Sequence, residues 1–149
     1  MALRSINLSL PMQLLRAREA AMSRFRPMLR AHGLTEQQWR VVRVLASEKE
    51  LDIGDLSQKT FLLAPSLTRI LKALVRDGLV TRTPGPEDLR RVSIRLSKAG
   101  RTIYKNVSPD SERLYREIEE QFGLQKLNDL YGLLKDLQGA IDQIETKAC

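Results

Sequence analysis

The stretch LAPSLTRILKALVRDG, from Leu63 to Gly78, decides the fold of this chain. Pro65 suits the first turn of a helix, where its missing backbone N–H costs nothing, and Gly78 suits the left-handed position just after a helix. At about 100° per residue, one face is apolar and predicted to be buried; it consists of Leu67, Ile70, Leu71, Leu74 and Val75. The opposite face has cations but no acid; it consists of Pro65, Ser66, Arg69, Lys72, Ala73 and Arg76. A solvated face would explain any one of these cations, whereas the set as a whole favours contact with a polyanion.

Two shorter helices are predicted before this cationic helix. Thr35 is a suitable N-cap for the first, which runs to about Ser47, and Gln38 completes a capping box with it. Asp52 is a suitable N-cap for the second, from Ile53 to about Lys59. A short helix followed directly by a cationic helix is typical of a helix-turn-helix.

After the cationic helix the periodicity changes from helical to alternating. Residues 79–83 (LVTRT) and 92–96 (VSIRL) predict two half-buried strands, and residues 84–91 (PGPEDLRR) predict the hairpin tip between them. Because a lone two-stranded hairpin is not stable, it must pack on the helices. The predicted fold is therefore mainly α with a small β-hairpin wing, a winged helix-turn-helix.

Long helices are predicted on both sides of this core. One covers residues 9–31, a second runs from about Ser97 to about Phe122, and a third from Leu124 to about Thr146. The apolar residues of the last helix follow a heptad pattern: Leu127, Leu130, Leu134, Leu137, Ile141 and Ile144. Burying these side chains would contribute roughly 1.5–3 kcal/mol each before entropic costs.

We predict one domain over residues 1–149, with a DNA-binding lobe at 34–97 and a dimerisation lobe formed by 8–33 and 98–147. The heptad can pack on the chain's own first helix or on a second copy. A two-fold homodimer is favoured, because it places two reading helices about one DNA turn apart on a palindrome.

Composition and charge exclude several classes of function. The chain has 149 residues with 25 basic and 18 acidic side chains, and residues 1–109 alone hold 20 basic and 9 acidic ones. One His (His32) and one Cys (Cys149) cannot complete a structural zinc site, so no metal or cofactor is expected. No catalytic constellation marks an enzyme. Without a run of roughly 18 apolar residues or a signal peptide, a cytoplasmic protein with no membrane segment is expected.

The cations predict contacts with double-stranded DNA. In a major groove, Arg69 is suited to bidentate recognition of guanine, and Lys72 and Arg76 to phosphates. At the hairpin tip, Arg90 or Arg91 can reach a narrow minor groove. The predicted contacts on the helix and wing are Pro65, Ser66, Thr68, Arg69, Lys72, Arg76, Arg90 and Arg91.

The first two helices predict a small-molecule site. Arg18 and His32 interrupt the apolar stripe of the first helix, where polar groups are costly unless they are paired. A buried Arg can hold a planar carboxylate through two hydrogen bonds, and aromatic side chains can pack on a ring. An aromatic acid is therefore the predicted effector, bound by Arg18, Met22, Phe25, His32, Trp39 and Arg43. Alternatively, Arg18 pairs with a carboxylate of a partner subunit or reaches water.

Over essentially its whole length the chain resembles the MarR family of bacterial transcription regulators. The matching segments are 34–39 (LTEQQW), 67–69 (LTR), 77–80 (DGLV) and 88–90 (DLR) leading to 96–100 (LSKAG), with Ser97 in place of the usual Thr. Residues 18–23, 25–27, 34–40 and 65–68 are similar to the branch of the family that represses operons for homoprotocatechuate (4-hydroxyphenylacetate) degradation.

The resemblance implies a homodimeric repressor of an aromatic-catabolic operon. A hydroxyphenylacetate or related acid would bind between the two lobes and release the DNA. The family also implies that Arg90 enters the minor groove and that Asp88 braces the wing. The reactive N-terminal Cys of the family's thiol-based sensors is absent. A ligand-independent architectural or protein-interaction module is the alternative, and binding of an aromatic acid distinguishes the two.

Overall fold

The computed structural model describes residues 1–85 and 91–148 of the chain. In these ranges it has the predicted helices and a two-stranded antiparallel hairpin, so the mainly α fold with a β wing is confirmed. After a single 3-10 turn at Ile6–Leu8, the elements are α1 (Leu10–Ala31), α2 (Glu36–Ser47), α3 (Ile53–Thr60), α4 (Ala64–Arg76), β1 (Val80–Pro84), β2 (Val92–Leu96), α5 (Lys98–Phe122) and α6 (Leu124–Ala148).

Local capping signals set the helix boundaries. The Gln38 N–H donates to Thr35 Oγ1 at 3.1 Å, and the Thr35 N–H donates to Gln38 Oε1 at 3.0 Å, which completes the predicted capping box. Asp52 accepts a hydrogen bond from the Asp55 N–H at 2.8 Å and caps α3. Gly78 has a φ of 74°, the left-handed conformation that was predicted just after α4.

The core is formed by α2, α3, α4 and the hairpin, with Leu29 of α1 and Val107 of α5 packed into it. Its fully buried side chains include Leu56, Leu67, Leu71, Leu74 and Ile94. In the hairpin Val80 pairs with Leu96. The backbone of Leu51, in the loop before α3, exchanges two hydrogen bonds of 3.1 and 2.8 Å with Ile94. The hairpin is therefore supported by the helical core, as its limited stability requires.

Two burial predictions, one in α4 and one in β1, are wrong. Val75 was assigned to the buried face of α4 but is 38% exposed, because it lies at the edge of the apolar stripe centred on Leu67 and Leu71. In β1 only Val80 is buried, and the rest of the strand is exposed rather than half-buried. The positions that alternate with Val80 are Arg82, whose charge favours water, and Pro84 at the exposed end of the strand.

The chain divides into two compact units, Met1–Ser111 and Glu112–Cys149. The first unit contains α1 to α4, the hairpin and the beginning of α5. The second contains the rest of α5 and α6; within it Leu127 is buried, whereas Leu130 and Ile144 are 38% and 67% exposed. The single domain with lobes at 34–97 and at 8–33 plus 98–147 stays a prediction. No helix in the described ranges is long and apolar enough to cross a membrane.

Gly100 provides a test of the packing between the hairpin and α5. A Cβ at this position would overlap the carbonyl oxygen of Leu79 and lie 2.9 Å from Leu96 Cδ2. We expect Gly100→Ala to lower the free energy of unfolding by roughly 1–3 kcal/mol through overpacking. Urea denaturation followed by circular dichroism measures this difference.

Gly54 is the matched control, because it also lies in the first turn of a helix and its added Cβ would meet only Asp52 Oδ1, at 3.4 Å. Gly54→Ala should leave stability unchanged or raise it by up to about 1 kcal/mol, the helix propensity gain. Equal stability of the two variants would show that the contact at Gly100 is not tight.

Candidate nucleic-acid interface and effector site

The cations of α4 lie on the side opposite the core. Arg69, Lys72 and Arg76 are all exposed. Arg76 forms an ion pair with its neighbour, with Nε 3.1 Å from Asp77 Oδ1. Arg69 and Lys72 form no ion pair with any residue that the structure describes. Their charges are therefore available to an external anion, as the sequence predicted.

The residues at the start of α4 differ in their exposure and in the hydrogen bonds that they form. Pro65 is exposed in the first turn, and Ser66 is half-buried. The Thr68 hydroxyl donates to the carbonyl of Ala64 at 2.9 Å, so only its acceptor capacity remains for a base edge. No acidic side chain lies in the first turn of α4, which leaves its N-terminal partial positive charge uncompensated there.

Side-chain hydrogen bonds fix the turn between α3 and α4. The buried Thr60 hydroxyl donates to the Leu56 carbonyl at 2.6 Å, and the Ser57 hydroxyl donates to the Leu62 carbonyl at 2.6 Å. Arg40 of α2 donates from Nη1 to the Thr60 carbonyl at 3.0 Å. The bonds from Ser57 and Arg40 fix the backbone of the turn that leads from α3 into α4. The sequence analysis did not identify Arg40, because its acceptor is a backbone carbonyl and leaves no sequence pattern.

The wing is only partly covered by the described residues. Arg91 is exposed at the start of the returning segment, and its carbonyl accepts a hydrogen bond from the Gly85 N–H. It shares a surface depression with Glu50, Asp52 and Asp55, whose carboxylates lower the positive potential near it. The predicted contacts Asp88 and Arg90 lie outside the described residues.

Glu50 ties the loop after α2 to strand β2. Its Oε2 accepts hydrogen bonds from the Ser93 hydroxyl at 2.7 Å and from Arg95 Nη2 at 2.6 Å. The Ser93 bond, followed by the Arg95 bond and charge, lowers the pKa of Glu50 below its usual value. Arg95 is thus paired with an acid, unlike Arg69 and Lys72 of α4.

The expectation that Arg18 is buried is wrong. Its side chain is 43% exposed, with Nη2 3.1 Å from Glu36 Oε2 and Nη1 3.3 Å from Glu19 Oε1. The reason is that residues 13–20 of α1 are exposed on every side within this chain. Its partners within this chain are the carboxylates of Glu36 and Glu19, and pairing with a partner subunit stays a prediction.

Arg18 belongs to a group of four charged side chains that links α1 to α2. Arg26 is 2.7 Å from Glu19 and 3.5 Å from Glu36. Its hydrogen bond, followed by the charges of both arginines, lowers the pKa of Glu19, and the same bond raises the pKa of Arg26. Sequence reasoning missed Arg26 and Glu36, although the seven-residue spacing of Glu19 and Arg26 places them on one helix face.

Two contacts bring α5 to the predicted effector residues. His32 Nε2 lies 2.8 Å from Asp110 Oδ2, and the Trp39 ring stacks on Tyr104 with centroids 5.7 Å apart. Phe25 and Trp39 are buried, Met22 and His32 are half-buried, and Arg43 is exposed. The partners Tyr104 and Asp110 were not identified from the sequence, because they are distant in the chain from Trp39 and His32.

An exposed cationic helix, held by a rigid turn beside a β-hairpin, defines the class of a winged helix-turn-helix DNA-binding protein. A model of the MarR family matches residues 32–91. The homoprotocatechuate degradative operon repressor of Escherichia coli is 47% identical over 128 residues, which cover 86% of each chain. The chain therefore belongs to the MarR family. It is a DNA-binding transcriptional repressor of the MarR type and not an enzyme.

Solved structures agree with this assignment. The transcriptional regulator PA4135 is 46% identical, with a TM-score of 0.84 over 88% of this chain and 96% of that one. NadR in complex with 4-hydroxyphenylacetate is 39% identical, with a TM-score of 0.78 over 92% of this chain and 97% of that one. The family resemblance noted from the sequence is thus confirmed.

Proposed function

We propose that this protein represses an aromatic-catabolic operon from a palindromic operator in the cytoplasm. A homodimer binds the DNA, and an aromatic carboxylic acid such as 4-hydroxyphenylacetate or homoprotocatechuate releases it. The observation that carries the proposal is the exposed face of α4, where Arg69 and Lys72 have no ion-pair partner in the described part of the chain. The name of the Escherichia coli relative supports the choice of operon.

The residues of α4 divide the recognition between bases and phosphates. Arg69 lies in the N-terminal half, which meets base edges in the major groove, and its planar guanidinium suits guanine. Lys72 and Arg76 lie one and two turns further on and suit phosphates. Pro65, Ser66 and Thr68 also contact the DNA from α4. At the wing, Arg90 or Arg91 reaches the minor groove and Asp88 braces the wing.

Two substitutions on α4 test this division. The operator is first selected from a random duplex library, and affinities are then measured by fluorescence anisotropy over a range of salt concentrations. Arg69→Ala should lose about 1–3 kcal/mol of discrimination at one base pair. Lys72→Ala should weaken binding to all duplexes and reduce the salt slope by about 1.

Lys105→Ala is the control, because this exposed lysine of α5 lies outside the proposed interface. It should keep both the specificity and the salt slope. If Arg69→Ala and Lys72→Ala also leave both unchanged, α4 is not the recognition helix.

Exposed apolar side chains support the homodimer. In α6 the heptad residues Leu130, Ile141 and Ile144 are 38%, 41% and 67% exposed in the single chain. Near the N-terminus Ile6 and Leu8 are 57% and 66% exposed. Burying a side chain of this size contributes roughly 1.5–3 kcal/mol. A dimer in which a second copy covers these residues would therefore be strongly stabilised.

A charge placed within the heptad should dissociate the dimer. Leu130→Glu puts a carboxylate into the proposed interface, where desolvation opposes association. We expect a monomer at micromolar concentration in sedimentation equilibrium and a loss of operator binding. Asn128→Glu adds the same charge on the opposite face of α6 and should remain dimeric. A dimeric Leu130→Glu would place the interface elsewhere.

The proposed effector site lies where α1, α2 and α5 meet in the first unit. The effector's ring would pack near Phe25, Met22 and Trp39, and its carboxylate would bind Arg18 or Arg43, with His32 nearby. Arg43 forms no ion pair with a described residue and could bind the carboxylate directly. Arg18 would have to give up its ion pair with Glu36 to bind it. The complex of 39% identical NadR with 4-hydroxyphenylacetate supports an acid of this class.

Titration calorimetry with 4-hydroxyphenylacetate tests this site. A charged hydrogen bond contributes about 1.5–3 kcal/mol, so Arg18→Ala or Arg43→Ala should weaken binding roughly tenfold or more. Arg30→Ala, an exposed cation of the same helix as Arg18, should bind as the wild type does. If no aromatic acid binds, the protein is a ligand-independent DNA-binding module.

A further inference from the structure

The turn between α3 and α4 exposes two large apolar side chains. Phe61 is 86% exposed and Leu63 is 78% exposed, whereas Leu62 between them is only 8% exposed and packs in the core. Leu63 is the N-cap residue of α4, and Phe61 lies two residues before it at the end of α3. Exposed apolar side chains of this size indicate a contact surface when they adjoin an interface.

The backbone of Phe61 adopts an unfavourable conformation. Its φ of 55° and ψ of 32° are left-handed, and no other non-glycine residue in the described ranges has a positive φ. Glycine adopts this conformation without the steric cost of a Cβ. Because the Phe61 ring is largely exposed, its burial contributes little to folding. It therefore does not offset the steric cost of the left-handed backbone. An outlier of this kind supports a functional role for the side chain.

The turn is also rigid. The hydrogen bonds from Ser57 to the Leu62 carbonyl and from Arg40 to the Thr60 carbonyl hold the backbone on both sides of Phe61. Thr60 itself is fully buried. Phe61 and Leu63 are therefore presented in set positions, and their ordering costs little on binding.

The occupant of this surface follows from its continuity with the reading face of α4. In a winged helix-turn-helix the N-terminal half of this helix enters the major groove. The apolar group on the base edges there is the C5-methyl of thymine. We propose that Phe61 and Leu63 contact thymine methyl groups of the operator, which makes the turn a second determinant of sequence beside Arg69. This inference rests on the proposed role of α4 as recognition helix.

Replacement of thymine by deoxyuridine, which lacks only the C5-methyl, tests the contact. Each thymine of one half-site of the selected operator is replaced in turn. We expect the wild-type affinity to fall about fourfold at one or two positions, the equivalent of one buried methyl group. The double variant Phe61→Gly, Leu63→Ala should bind more weakly and should be insensitive to deoxyuridine at those positions.

The variants distinguish loss of the thymine-methyl contact from a general loss of stability or of phosphate binding. Glycine suits the left-handed backbone at position 61, so the double variant should retain its thermal stability, and its salt slope should equal that of the wild type. Lys72→Ala should lose part of the salt slope but stay sensitive to deoxyuridine. Specific operator binding without any deoxyuridine effect, or with an equal effect in wild type and double variant, would overturn the inference and leave the proposed function standing. Absence of specific duplex binding would contradict both.

Discussion

The burial of one side of α4 is the constraint on which the interface depends. Leu67, Leu71 and Leu74 are fully buried against α2, α3 and the hairpin. Because successive residues of a helix rotate by about 100°, this burial forces Arg69 and Lys72 to the opposite side. The hydrophobic core and the proposed DNA-reading surface are therefore two consequences of one amphipathic pattern.

Several cations outside α4 are paired with acids, whereas Arg69 and Lys72 form no ion pair with a described residue. Arg18 and Arg26 are neutralised by Glu19 and Glu36, and Arg95 by Glu50. Exposed pairs of this kind contribute little to stability, but they reduce the field that a polyanion meets. The high content of Lys and Arg therefore does not locate the interface. The position of Arg69 and Lys72 on the second helix of the helix-turn-helix favours the face of α4.

The same pairing suggests how an effector can act on a distant interface. Arg18 joins α1 to α2 through Glu36, and His32 joins the end of α1 to α5 through Asp110. A bound carboxylate that competes with Glu36 would change the contacts between α1 and α2. Since a ligand shifts an equilibrium only by its difference in affinity for the two states, it can release DNA only if it prefers the conformation with poor operator affinity.

The order of the elements, their caps and the cationic face of α4 were determined by the sequence alone, because their signals are local. Thr35 and Gln38 are three residues apart, and Gly78 directly follows the segment that it ends. Tertiary structure decided the partners of Arg18 and His32, the stacking of Trp39 on Tyr104, and the left-handed backbone of Phe61. His32 and Asp110 are 78 residues apart, and no periodicity relates them. Such contacts arise only when packing brings separate helices together, because the free energy of pairing depends on distance in space and not on distance along the chain.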